Sequence, residues 1–299
     1  MADQLIRATA ADGGIRAVGV ITTRLTEEAR QRHQLSYVAT AALGRAMSSS
    51  LLLASNMKRE GSRVNLRIKG NGPLGGLLVD AGLDGTVRGY IENPRVELPP
   101  NSKGKLDVGG AIGKDGYLYV VRDIGYGYPY SSTVELVSGE IGDDVANYLM
   151  TSEQTPSALL VGVFVSSKGV SASGGVLLQV LPKAARDESL VALLDSRVSQ
   201  LSGFTPLLRA GKTLTEIMEQ LVGDLGLSIL PEVQMVRFDC RCSFSRVLGA
   251  LKMLGEAELR DMIEKDEGAE ATCQFCGEVY KATKEELTQL VEDLRAGSS

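Results

Sequence analysis

The sequence predicts an α+β fold in three parts, on three observations. Strand-like runs punctuated by glycine fill much of residues 1–182, between helical patterns. A pair of amphipathic helical stripes follows Pro182, and all four cysteines lie between Cys240 and Cys276. Helices framing antiparallel β-structure is the arrangement that lets each element of such a chain bury one face.

Each element follows from its own residues. The pattern from residue 26 to about residue 57 is helical, with Ala39, Ala42, Leu43, Ala46, Met47 and Leu51 spaced to make a small-residue face. Val64, Leu66 and Ile68 then alternate with Arg63, Asn65, Arg67 and Lys69, the signature of a half-buried strand. Strand-like runs follow at 76–82, 86–92, 117–123 and 130–137, a short helix at 143–151, and strands at 158–166 and 175–181. Residues 1–182 thus form the expected N-terminal α+β domain.

Beyond Pro182 the texture changes. Residues 187–203 carry Leu190, Leu193, Leu194, Val198 and Leu201 in a helical stripe closed by Gly203. Thr213 and Glu216 form a capping-box pattern ahead of Leu214, Ile217, Met218, Leu221, Val222 and Leu225. Residues 183–231 therefore read as a linker of two amphipathic helices with little core of their own. Their apolar faces need a partner, and packing on the first domain is the simplest one. The tail, 232–299, predicts helices at 243–254, 256–264 and 283–295. The last opens on a Thr283/Glu286 capping box and sets Leu287, Leu290, Val291 and Leu294 on one face. A unit so small and so charged has a marginal core and needs a staple.

Composition and charge narrow the function. The 299 residues are 43% hydrophobic and 23% charged, a soluble globular balance with room for two domains. The longest apolar stretch, residues 158–165, falls far short of the roughly 20 residues that span a bilayer. Met1-Ala-Asp-Gln-Leu-Ile-Arg7 has no basic segment leading into an apolar one, so a cytoplasmic address is expected. The net charge of −5 sits wholly in the tail: residues 1–231 hold 23 basic and 23 acidic side chains, residues 232–299 hold 9 and 14. Nucleic-acid binding draws most of its affinity from a basic excess, and the sign here is opposite. Neither nucleic acid nor membrane is expected as a partner.

Familiar catalytic motifs fail on context. Gly70-Asn-Gly-Pro-Leu-Gly75 matches the spacing of a dinucleotide-binding loop, which needs a helix to open at the third glycine. Residues 76–82 read as a strand, so the segment is expected to be a hairpin turn. Gly211-Lys-Thr213 resembles the end of a phosphate loop, but Pro206 stands where the leading glycine belongs, leaving a helix start. There is no G-x-S-x-G elbow, and the single histidine, His33, falls within a helical pattern with no nucleophile nearby in sequence. Carboxylate pairs such as Glu27-Glu28, Asp143-Asp144 and Glu285-Glu286 sit at helix beginnings, where the dipole favours them. An enzyme is not expected.

The cysteines survive the same scrutiny. Cys240-x-Cys242, thirty residues, then Cys273-x-x-Cys276 supplies four soft ligands in two chelating pairs. Such pairs favour tetrahedral Zn²⁺, with every position filled by protein and none open for substrate. A purely structural clip fits this spacing. So does a redox centre: arginines at 237, 241 and 246, and a helix starting at Ser243, favour thiolate and hence oxidation at the first pair. A bridge between residues one apart is strained, which makes it labile and reversible.

Phe238-Asp-Cys240-Arg-Cys242-Ser, followed by Cys273-Gln-Phe-Cys276-Gly-Glu-Val-Tyr280, resembles the redox-regulated holdase chaperones of the thirty-three-kilodalton heat-shock family. The resemblance spans the chain, including its length and the Asn71-Gly-Pro-Leu-Gly75 turn. It implies an ATP-independent chaperone, zinc-bound and inactive when reduced, activated when oxidants release the metal and form disulfides. By position it implies Cys240, Cys242, Cys273 and Cys276 as zinc ligands, one ion per chain. Given such a switch, pairing within each motif, Cys240–Cys242 and Cys273–Cys276, leaves the two halves of the site unlinked. Cross-pairing would retain a loop closure of roughly 3–4 kcal/mol, so local pairing is expected. Unfolded proteins are the expected partners. Leu214, Ile217, Met218, Leu221, Val222 and Leu225 are the expected client-binding face, and exposure of that face would favour a homodimer in the oxidised state. A zinc-stapled nucleic-acid or ribosome-binding module is the alternative.

Overall fold

A computed structural model describes residues 1–184, 188–201 and 203–297. The chain divides into two compact units, Met1–Asp239 and Cys240–Ser299.

In the first unit the elements run β1 (Gln4–Ala10), β2 (Ile15–Ile21), α1 (Thr23–His33), α2 (Tyr37–Ala54), β3 (Arg63–Lys69), β4 (Gly76–Gly82), β5 (Thr86–Ile91), α3 (Val108–Ile112), β6 (Tyr117–Asp123), β7 (Tyr130–Glu135), α4 (Ile141–Thr151), β8 (Ser157–Ser166) and β9 (Gly169–Val180). They continue as α5 (Glu188–Gln200), α6 (Phe204–Arg209), α7 (Leu214–Val222), β10 (Ser228–Met235) and β11 (Arg237–Phe238). Two sheets result. One has the order β10-β1-β2-β9-β8 and is antiparallel throughout; the other, β11-β5-β4-β3-β6-β7, is antiparallel apart from the parallel β11–β5 pair.

The predicted α+β class with antiparallel sheets is what the chain adopts, and helix α2 is its axis. It packs against β2, β8 and β9 of one sheet and β3, β4 and β5 of the other, and all but two of its eighteen residues are buried. A helix apolar all round belongs in a core. Its small residues let the strands come close: a Cβ on Gly44 would lie 2.7 Å from Val163 Cγ2. The buried hydroxyls find partners in one another, Thr22 with Ser48 and Ser173 at 2.8 Å each, and Thr26 with Ser173 at 2.9 Å.

The single helix expected over 26–57 is in fact two. Gln34 takes a left-handed conformation (φ 51°), capping α1, and the Ser36 hydroxyl caps α2 by accepting from the Ala39 N–H. Helical periodicity passes smoothly across this break, so the apolar pattern does not mark it. The Gly70–Gly75 segment is the expected hairpin turn, joining β3 to β4 with Lys69 opposite Gly76. Its backbone bonds α3, Gly72 N–H to Ile112 C=O at 2.8 Å and Leu74 N–H to Ala111 C=O at 2.9 Å. Thr213 caps α7 in a complete capping box with Glu216, so Gly211-Lys-Thr213 is a helix start. His33 ends α1.

Two corrections fall within 183–231. Three helices stand where two were expected, because Gly203, at φ 113°, lets the chain turn into α6. The expected start at Asp187 lies outside the described residues. The segment also ends in a strand: β10 opens at Ser228 and pairs with β1. What α5, α6 and α7 do is clear from their contacts. Leu190, Leu194, Phe204, Leu208, Leu214, Ile217, Met218, Leu221 and Val222 form one buried cluster with Ile6, Ala8, Ala17, Ala172, Val176 and Leu178 of the first sheet, and Leu225 packs at its margin. Glycines on that face make the seat. A Cβ on Gly19 would meet Met218 Cε at 2.9 Å and Leu214 Cδ2 at 3.1 Å, and one on Gly162 would meet Thr205 Cγ2 at 3.0 Å. Arg197 of α5 fastens the set, pairing with Asp224 through both guanidinium nitrogens (2.5 and 2.6 Å) and donating to the Leu221 carbonyl at 2.8 Å.

The second unit comprises α8 (Phe244–Lys252), α9 (Glu256–Lys265), β12 (Gly268–Thr272), β13 (Val279–Thr283) and α10 (Lys284–Gly297). The three helices are where the sequence placed them, and Thr283 and Glu286 exchange the expected capping bonds. The β12–β13 hairpin was not anticipated: each strand is only five residues long and carries charge. Leu251, Leu259, Ala282, Leu287, Leu290 and Val291 make up the buried cluster, a thin core for a folded unit.

Candidate metal centre

Two short segments of the second unit build the site. Cys240 and Cys242 precede α8, whose N-terminus is capped by the Ser243 hydroxyl accepting from the Arg246 N–H at 3.4 Å. Arg246 is turned back on the chain and donates to the Arg241 carbonyl at 2.7 Å. Cys273 and Cys276 occupy the turn between β12 and β13. Cys273 N–H donates to the Glu278 carbonyl at 2.9 Å, and Gly277 N–H to the Cys273 carbonyl at 2.8 Å. Gly277 stands at φ 74°, a conformation this tight turn requires and a side chain would strain.

The four sulfurs converge. Cys240 Sγ is 3.7 Å from Cys273 Sγ, Cys242 Sγ is 3.4 Å from Cys276 Sγ, and all four lie within 4.8 Å of one another. Among the described residues no other group of three or more histidine, cysteine or acidic side chains is so placed. No disulfide joins them. Four thiolates at about 2.3 Å around a tetrahedral ion would stand about 3.8 Å apart, so the cluster has the size of a four-sulfur metal site. Such a set suits a soft divalent ion and leaves no coordination position for a substrate.

Electrostatics point the same way. Burial pushes the Cys273 thiol up, and it pushes the Cys276 thiol up further. Thiolates held together without a cation are unfavourable, and a bound dication reverses that preference. Tyr280 adds a polar contact, its phenol oxygen 3.1 Å from Cys242 Sγ. That bond holds the phenol above its usual pKa range. The sequence assigns Tyr280 no role, because its contact with Cys242 joins two segments 38 residues apart.

Comparison with known proteins decides what kind of molecule carries this centre. The family model described as Hsp33 protein matches residues 3–283. The chain belongs to the Hsp33 family. The 33 kDa chaperonin of Gloeothece citriformis is 85% identical over 298 residues, covering all of both chains. That of Synechocystis is 76% identical over 295 residues, covering 99% of this chain and 98% of its own. The crystal structure of the 33 kDa chaperonin, a heat shock protein 33 homologue, from Thermotoga maritima superposes with a TM-score of 0.91 at 36% identity. It covers 99% of this chain and 100% of its own. Hsp33 membership makes this a redox-regulated chaperone and not an enzyme, as the cysteine motif led us to expect, and it disfavours the nucleic-acid-binding alternative.

The other expected site residues lie elsewhere. Leu214, Ile217, Met218, Leu221 and Val222 are at most 1% exposed and Leu225 is half-buried, all in the first unit against the sheet. The missed anchor beside them is Phe204, 1% exposed, whose ring approaches within 2.8 Å of where a Cβ on Gly174 would stand. Its signal lay in the glycine pair Gly174-Gly175 of a strand otherwise rich in β-formers. No helix among the described residues is long and apolar enough to cross a membrane.

Proposed function

We propose that this Hsp33 chain is a cytoplasmic holdase switched by zinc-bound thiolates. In the reduced protein Cys240, Cys242, Cys273 and Cys276 would hold one Zn²⁺, which supplies the charge that four clustered thiolates need. The convergence of four sulfurs from two segments within 4.8 Å carries this reading. The chain falls into an N-terminal core (1–182), a helical linker (183–231) and a C-terminal redox module (232–299) in this account.

Oxidation undoes the site through the sulfurs themselves. A peroxide accepts two electrons from a thiolate pair; one S–S bond forms and the peroxide leaves as two hydroxides. Bridged sulfurs no longer ligate the ion. Two short sulfur–sulfur approaches, Cys240 to Cys273 and Cys242 to Cys276, join opposite segments, yet cross-links between segments would keep the unit folded. Cys240–Cys242 and Cys273–Cys276 are therefore the proposed bridges, the C-x-x-C pair closing first because its geometry is less strained.

Loss of the staple then frees the linker. The stripe of Leu214, Ile217, Met218, Leu221, Val222 and Leu225, packed on the sheet in the resting chain, becomes the client surface once exposed, along with the sheet face it leaves. Exposed apolar surface of this extent binds unfolded proteins and favours a homodimer of the oxidised form. Thiol trapping with mass spectrometry during mild peroxide treatment tests the scheme. A bridge within Cys273–Cys276 should dominate early products, and a dominant Cys242–Cys276 or Cys240–Cys273 link would sink it.

A further inference from the structure

Tyr280 does not belong to the four-sulfur set and yet touches it. Tyr280 lies on β13, the strand leaving the Cys273–Cys276 turn, opposite Ala271 of β12. Its phenol oxygen reaches Cys242 Sγ, on the other segment, at 3.1 Å. Its ring is held from the side by Phe244 of α8, with centroids 6.4 Å apart and planes 24° from parallel. Tyr280 thus spans the two halves of the site from a fixed backbone position.

We propose that Tyr280 is a positioning residue of the metal centre, its phenol donating to Cys242 Sγ and holding that sulfur in the cluster. This rests on the proposed zinc-bound reading. A metal-bound thiolate has no proton to give, so the phenol is the donor. A hydrogen bond to thiolate draws charge from the sulfur, which makes it a weaker nucleophile, and fixes its direction toward the shared centre. Ligand-orienting partners of this kind are worth about 10–100-fold in metal affinity.

The test compares the full-length chain with Tyr280→Phe, which deletes one oxygen and leaves the ring, and with Phe244→Leu, which removes the stacked neighbour and leaves the phenol. Zinc affinity is read by competition with a chromophoric chelator, and Cys242 reactivity by mass spectrometry after brief iodoacetamide treatment. Tyr280→Phe should lower zinc affinity about 10–100-fold and raise early alkylation of Cys242 relative to Cys240, while Phe244→Leu should change both less. Wild-type affinity and alkylation pattern in Tyr280→Phe would overturn the inference. So would an equal effect in Phe244→Leu, which would assign the role to ring packing. A wild-type chain that binds no zinc would instead sink the metal reading on which this rests.

Discussion

At the scale of single residues, Glu27 shows how one carboxylate ties the first unit together. It accepts from Arg30 at 2.6 and 2.8 Å, from Gln31 at 2.8 Å and from the Val170 N–H at 2.9 Å, linking α1 to the start of β9. The Arg30 bonds lead in lowering its pKa to about 2 from an ordinary 4.5. A carboxylate depressed in the folded state contributes stability that is complete above its unfolded pKa and is lost as pH falls through the folded value. That window runs from about 4.5 down to about 2. Glu27→Gln should therefore cost about 1.5–3 kcal/mol at pH 7, and the gap in urea midpoints from wild type should narrow at pH 3. A gap of equal size at both pH values would contradict the assignment.

The cysteines make a second prediction at this scale. Cys276 is the most buried of the four, at 6% exposed. Cys276→Ser should bring bound zinc well below one equivalent and abolish protection of 240–299 against proteolysis under reducing conditions. The sheets of the first unit should stay protected. Retention of a full equivalent of zinc would show that the four sulfurs do not act as one site.

At the scale of elements, α7 is the piece whose position the account depends on. Leu221 is fully buried between helix and sheet. Leu221→Glu puts a carboxylate there, and the penalty should reach at least the roughly 2–5 kcal/mol of a buried leucine truncation. The helix should undock by population shift, and the reduced, zinc-loaded variant should suppress client aggregation without oxidant. A variant that stays folded, zinc-loaded and as inactive as wild type would show that the linker is not the lock.

Elements also show what the sequence could disclose. The helices α7 and α10 were legible because each begins with a Thr-x-x-Glu capping box and continues with a leucine-rich stripe, both local signals. Strand β3 was legible from strict alternation. Strands β1 and β2 were not, because residues such as Ala8, Ala17 and Gly19 are small where the linker helices press against them. Strand β10 was hidden for a related reason: Pro231 looks like an ending, yet an edge strand tolerates a proline. The four cysteines were fully legible by spacing, whereas Tyr280 depends on a contact between segments that no local pattern reports.

At the scale of the whole molecule, the magnitudes decide how the switch works. Structural zinc supplies on the order of 10–16 kcal/mol of folding free energy to a small domain. A domain ordinarily has about 5–15 kcal/mol of net stability, and the second unit, with its six-residue buried cluster, belongs at the low end. Removing the ion exceeds what that core can offset, so the unit should unfold. The first unit, with two sheets around a buried helix, should not. In the proposed switch, zinc binding and folding of the tail are therefore one variable, and chaperone activity is a second variable coupled to it.

That coupling is best measured on one sample. Bound zinc and suppression of aggregation of a thermally unfolded client should be followed together as peroxide is titrated into reduced, full-length protein. The account predicts one zinc per chain and no suppression at the start, with zinc release and suppression rising in parallel and both reversed by reductant plus zinc. Full suppression while zinc remains bound, or complete zinc release and disulfide formation without suppression, would contradict it.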